Sequence, residues 1–286
     1  MSNPVEITLK KRVLLIGVGG ASNSGKTTLA KYLHRLIKNS TIIHLDDFAP
    51  AQHLIPYSPL YPDVQDWDSP ATAIDWPLLR SSLAYFKQTG QLPDDHQTHD
   101  HLNTLEGVSV GEDVKNEVKD LINGIEQKSR KEGVEIVWGI LDGFVVYWDE
   151  DVLSKLDVRI FLRVPYATLK SRREARSTYV TQSQSAAAAG EVWQDPPNYF
   201  DQIVYPAYVL AHQSIFNTAS TDHPSPAAKN VEHEEPSTEW TDPVGQGGKG
   251  LVVLTPGEGQ AGMGKCLLDS VKAVKTGAEN FLSRKE

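Results

Sequence analysis

The sequence predicts the α/β class, a parallel sheet with helices packed on both faces, and three observations carry that prediction. Short apolar runs alternate with helix-period segments, the first run passes directly into a glycine-rich loop, and aspartates stand at the ends of two of the runs.

Each element follows in order. Val13–Val18 (V-L-L-I-G-V) is continuously apolar, as a strand buried on both faces must be. Leu29, Leu33, Leu36 and Ile37 then recur at helical spacing behind a Gly-Lys-Thr-Thr turn. Thr41–Leu45 reads as a second strand and ends on Asp46 and Asp47, at the sheet edge where open α/β folds bind ligands. Asp75 reads as the N-cap of a helix through W-P-L-L-R-S-S-L-A-Y-F. Val114, Val118, Leu121, Ile122 and Ile125 form the stripe of an outer helix. Val134–Leu141 returns to strand character and stops at Asp142-Gly143. Val158–Val164 is a further strand, closed by Pro165 and followed by a helix carrying Arg172, Arg173 and Arg176. Leu251–Thr255 is strand-like, and the last twenty-odd residues, with Leu267, Leu268, Val271 and Val274, are helical in period. The expectation is one domain over residues 12–286 behind an extension at 1–11, with flexible insertions at about 91–110, 183–190 and 217–250 where polar residues dilute the pattern.

Composition narrows the function. The 286 residues carry 28 Lys+Arg against 37 Asp+Glu, a net charge of −9. An acidic surface offers no broad footprint for nucleic acid and no polybasic membrane anchor, so phosphate binding must be local. The single cysteine, Cys266, excludes an intramolecular disulfide and a thiolate zinc cage, in keeping with a reducing compartment. The first residues lack the apolar core of a signal peptide, and no run approaches the roughly 18 apolar residues of a membrane span. A cytoplasmic location without membrane contact is the expectation. No feature sets an oligomeric state, and a monomer is the default.

The glycine loop supplies the local phosphate site. Gly20-Ala21-Ser22-Asn23-Ser24-Gly25-Lys26-Thr27 matches G-x-x-x-x-G-K-[ST] at every fixed position, with Thr28 next, a buried strand before and an amphipathic helix after. Glycines let backbone N–H groups converge on phosphate oxygens, and the helix N-terminus adds partial positive charge. In such loops the lysine, here Lys26, reaches the β- and γ-phosphates of ATP, and the hydroxyl of Thr27 meets Mg²⁺. The fold expected is therefore the P-loop NTPase three-layer α/β/α arrangement. A switch GTPase would carry D-x-x-G after a strand and [NT]-K-x-D for guanine. Here D-x-x-G occurs at Asp242–Gly245 in the polar tail, and [NT]-K-x-D is absent, which favours a kinase over a non-enzymatic nucleotide switch.

A kinase acting on a hydroxyl needs an acid beside the acceptor oxygen and a carboxylate on the metal side. Asp46, Asp47 and Asp142 qualify by position, and one of the adjacent pair is expected to be structural. Arg172 and Arg176 share a helical face while Arg173 turns aside, so the run reads as a lid whose guanidinium forks clamp the moving phosphoryl group. His96, His99 and His101 read as a solvated polar loop, and Tyr199, Phe200, Tyr205 and Tyr208 as packing aromatics.

In order, G-A-S-N-S-G-K-T-T-L-A-K, H-L-D-D-F, D-W-D-S-P-A-T-A-I-D, L-D-G-F-V-V-Y, R-V-P-Y-A-T-L-K-S-R-R-E-A-R and D-P-P-N-Y-F-D resemble the nicotinamide riboside kinases, particularly fungal ones, over most of residues 12–216. The resemblance implies a nucleoside monophosphate kinase-like fold with a lid. It also implies ATP-dependent phosphorylation of the 5′-hydroxyl of nicotinamide riboside, and of nicotinic acid riboside, in NAD synthesis. A uridine or cytidine kinase is the alternative. By the same resemblance Asp47 is the catalytic base, Lys26 and Thr27 meet phosphate and Mg²⁺, and Asp142 takes the acidic metal-side position. Trp67 lies against the pyridine ring, where a cationic ring over indole gains a cation–π contribution. Asp68 and Arg173 hold the ribose hydroxyls and Asp195 lines the nucleoside pocket. Where relatives place a second aromatic this chain has Glu191, and Trp193, two residues on, is the substitute.

Overall fold

The apolar run at the front of the chain is the central strand, β1 (Lys10–Gly20), and its buried half is sealed between two parallel neighbours. The structure is a computed structural model and describes residues 9–98, 108–175, 179–180, 192–193, 195–212 and 251–284, with backbone alone at 179–180 and 192–193. Arg176, Glu191, the side chain of Trp193, His99, His101 and the insertions expected at 183–190 and 217–250 lie outside the described residues.

After β1 come α1 (Lys26–Leu36), β2 (Ser40–His44), α2 (Trp76–Thr89), α3 (Glu112–Lys131) and β3 (Val134–Gly143). They are followed by α4 (Glu150–Lys155), β4 (Val158–Leu162), α5 (Tyr166–Ala175), the short antiparallel ribbon β5 (Tyr179–Val180) and β6 (Val192–Trp193), α6 (Tyr205–Ala211), β7 (Leu251–Leu254) and α7 (Gly259–Ser283). The main sheet has the order β2-β3-β1-β4-β7 with every pairing parallel. Asp75 caps α2 as expected, its carboxylate accepting from the N–H of Leu78 at 3.0 Å. Leu45, expected to close β2, instead opens a 3₁₀ turn, Leu45–Phe48, that holds both aspartates. An apolar run does not mark where the backbone turns, because Leu45 stays buried in the turn as it would in the strand.

Alternation along β1 feeds two cores. Leu14, Ile16 and Val18 face α1, α3 and α7, meeting Leu29, Leu33, Val118, Ile122, Leu267 and Val271. The opposite face carries Leu15 with α2, α4 and α6 over it, including Leu79, Leu83, Phe86 and Tyr208. On that face Gly19 makes room for a ring, since an added Cβ would lie 2.5 Å from Tyr147 Cε2. The buried Tyr147 hydroxyl donates to the carbonyls of Gly17 (3.0 Å) and Ile160 (2.6 Å), tying β1 to β4. Among the described residues no helix is long and apolar enough to cross a membrane.

Candidate active site

Parallel pairing sends β1, β2 and β3 to one carboxyl edge, and the chemistry-bearing residues gather there. β1 ends at Gly20, where φ is +148° and an added Cβ would lie 2.6 Å from the Leu162 carbonyl and 2.8 Å from Ser24 Oγ. A side chain at this position would fill the cradle that the loop forms. Asn23 is left-handed at φ 64°, and Gly25 is the left-handed N-cap that turns the loop into α1, leaving Lys26 and Thr27 in the helix's first turn. Ser24 Oγ is buried without a hydrogen-bond partner, a polar atom enclosed by the loop. These features fit a bound phosphate chain.

The β3 end fits a hard cation. Thr27 Oγ1 donates to Asp142 Oδ1 at 3.3 Å, and Asp142 is 3% exposed. Register pairs His44 of β2 with Asp142 of β3, and His44 Nδ1 lies 3.2 Å from Asp142 Oδ2. Among the described residues no group of three or more His, Cys, Asp or Glu forms a closed metal cage. A hydroxyl and one carboxylate are the oxygen donors Mg²⁺ takes when substrate phosphates and water complete its shell.

Helix α5 lies over the loop. Arg172 Nη1 donates to the Asn23 carbonyl at 3.3 Å, and Arg173 Nη1 donates to Ser22 Oγ at 2.8 Å. The expected divergence of Arg173 is thus corrected: both guanidinium groups straddle the loop, because side chains this long reach past the direction their Cβ sets. Arg173 also donates twice to Asp195, Nε to Oδ2 at 2.6 Å and Nη2 to Oδ1 at 2.8 Å, a bidentate fork. Asp201 anchors the helix, accepting from Tyr166 Oη at 2.5 Å and Lys170 Nζ at 2.6 Å.

Near that fork, Asp68 accepts from the hydroxyl of Tyr199 at 3.1 Å. Burial pushes the Asp68 carboxyl up to about 6, against the pull of Arg173, with Asp66 and Asp195 adding repulsion. Tyr199 is therefore more than the packing aromatic expected: its ring is buried and its hydroxyl belongs to the site. The D-P-P-N-Y-F-D motif holds the signal, since Tyr199 stands four residues after Asp195. Trp67 is half-buried next to Asp68.

Asp47 occupies the 3₁₀ turn beyond β2, with 1% of its side chain exposed. The expectation of a solvated histidine loop is overturned at His96, whose side chain is 12% exposed, rests on the Phe48 ring at 5.3 Å between centroids, and puts Nε2 3.6 Å from Asp47 Oδ2. Apolar contact with Phe48 draws the imidazole out of water, a partner that the polar sequence around it does not reveal. His44 also escaped sequence reasoning, although it stands two residues before Asp46.

Searching with this chain finds no matching family model. It is 34% identical over 206 residues to a nicotinamide riboside kinase of Saccharomyces cerevisiae, covering 72% of this chain and 80% of that protein. The chain belongs to the nicotinamide riboside kinase family. A second member, from Schizosaccharomyces pombe, is 32% identical over 208 residues, 73% of this chain and 83% of its own length. A uridine kinase of Schizosaccharomyces pombe is 28% identical over 180 residues, 60% of this chain and 33% of that protein. As a member of the nicotinamide riboside kinase family, the chain is a phosphotransferase that uses a nucleotide.

Proposed function

We propose that this protein transfers the γ-phosphoryl group of ATP to the 5′-hydroxyl of nicotinamide riboside, and of nicotinic acid riboside, giving the mononucleotide for NAD synthesis. One observation carries the reading: in a chain of this family, Arg173 joins Ser22 of the phosphate loop to Asp195 of the acceptor pocket, so donor and acceptor meet at one guanidinium. Residues 12–286 act as one kinase domain.

Each residue has a role. The N–H groups of Gly20–Thr28 and the Lys26 ammonium bind the nucleotide phosphates. Thr27 and Asp142 hold Mg²⁺, which when bound offsets phosphate charge. Trp67 stacks on the pyridine ring, with Trp193 as its second aromatic, while Asp68, Arg173 and Asp195 fix the ribose. Asp47 orients the 5′-hydroxyl for in-line attack and takes its proton. Arg172 and Arg176 stabilise charge on the group in flight.

The test is ADP release with ATP and Mg²⁺, offering nicotinamide riboside, nicotinic acid riboside, uridine and cytidine in parallel. Turnover on the pyridine ribosides is expected, and Lys26→Ala and Asp47→Asn should each lower kcat by about 10²-fold or more with the fold intact. Turnover on uridine or cytidine alone would replace this reading by a uridine or cytidine kinase one.

A further inference from the structure

The segment leaving α2 reaches the catalytic edge. Gly90 ends the helix, accepting no further turn, and Leu92 packs against the core beneath α2. A turn then closes from the His96 N–H to the Pro93 carbonyl at 3.0 Å and presents the imidazole over the 3₁₀ turn of β2. There the ring lies against Phe48, tilted by 30°, and brings Nε2 to 3.6 Å from Asp47 Oδ2, and the Asp47 side chain is left 1% exposed. A separation of 3.6 Å is an electrostatic contact, longer than a hydrogen bond.

We infer that His96 is a positioning residue for Asp47, turning one carboxylate oxygen toward its ring so that the other meets the acceptor hydroxyl, and keeping water from the carboxylate until that hydroxyl arrives. The inference rests on Asp47 being the base. Its physical content is a competition between two nucleophiles. A carboxylate able to take a proton from a sugar hydroxyl takes one equally from water. Water attacking the γ-phosphorus forms a P–O bond, breaks the bond to ADP and passes its proton to Asp47, releasing ADP and phosphate with no acceptor phosphorylated. Excluding water from the base is a recurrent requirement of phosphoryl transfer sites. A supporting ring held against Phe48 also fixes the geometry on which the desired transfer depends.

Two variants of the full chain, His96→Ala and His96→Gln, test this with nicotinamide riboside, ATP and Mg²⁺. His96→Ala should lower kcat for riboside phosphorylation about tenfold, leave the KM for ATP unchanged and raise riboside-independent ATP hydrolysis severalfold. His96→Gln, whose amide can lie on Phe48 and donate toward Asp47, should recover most of kcat and suppress the hydrolysis. Unchanged kcat and hydrolysis in His96→Ala would overturn the inference. Equal loss of kcat in both variants with a matching fall in thermal midpoint and no added hydrolysis would also overturn it, leaving a packing role. Wild-type protein inactive on the riboside, or Asp47→Asn retaining wild-type turnover, would instead refute the reading beneath it, and the inference with it.

Discussion

On the proposed function, Asp68 sets ribose binding against stability. Burial raises its carboxyl from the ordinary 3.8 to about 6, so the folded state holds this proton more tightly than the unfolded chain does. Its contribution therefore favours folding below about pH 4 and is lost as pH rises through about 6. At neutral pH the ionised carboxylate is a cost, which Asp68→Asn removes while keeping an oxygen for the Tyr199 hydroxyl. That variant should gain on the order of 1–3 kcal/mol at pH 7.5, vanishing near pH 4, and should raise the riboside KM. Thermal unfolding at the two pH values checks the sign; no gain at pH 7.5 would mean the charge is well compensated. At this scale the Gly20–Thr27 loop and Asp142 could be placed from fixed spacing and a strand end, whereas position left Asp46 and Asp47 open and only the family resemblance singled out Asp47. His96 and Tyr199 were not, since their partners Phe48, Asp47 and Asp68 are distant in sequence and a pattern along the chain carries no such contact.

Among elements, α5 bears the arginines and Asp201 fastens it. Tyr166 and Lys170, one turn apart on α5, both donate to that carboxylate. Asp201→Ala should free the helix to rock, lowering kcat/KM about tenfold for the riboside with a small change in melting temperature. Steady-state kinetics beside a melting curve checks this, and a large stability loss with normal kcat/KM would sink it. Long apolar or strongly periodic segments, β1, β3, α1 and α3, were readable from the sequence because burial on a regular face repeats a single rule. The two-residue strands β5 and β6 and the π-helical turn at Phe200–Val204 were not, for they are too short to show a period.

For the molecule as a whole, alternation of strands and helices predicted a parallel sheet but not its order, which depends on contacts far apart in sequence. Asp157 is one such contact. Its Oδ2 accepts from the Leu15 N–H at 2.9 Å and from Lys87 Nζ at 2.6 Å, and Arg284 Nη1 lies 3.5 Å from Oδ1, so one carboxylate joins β1, α2 and the end of α7. Asp157→Ala should destabilise the protein by about 2–4 kcal/mol, because it removes the carboxylate from a partly buried ammonium, which keeps only the Val13 carbonyl as acceptor, and leaves the Leu15 N–H without its acceptor. Activity per folded molecule should be unchanged, and urea denaturation beside specific activity checks both halves.

On the proposed function, the Arg173 bridge makes the two ligands answerable to each other. A guanidinium held at once by Ser22 and Asp195 cannot be reoriented by one occupant without altering what the other finds. Occupancy on either side then changes affinity on the other, and thermodynamic linkage requires the two factors to be equal. Titrating nucleotide with and without riboside, and riboside with and without nucleotide, should return one common factor, which Arg173→Lys reduces toward unity.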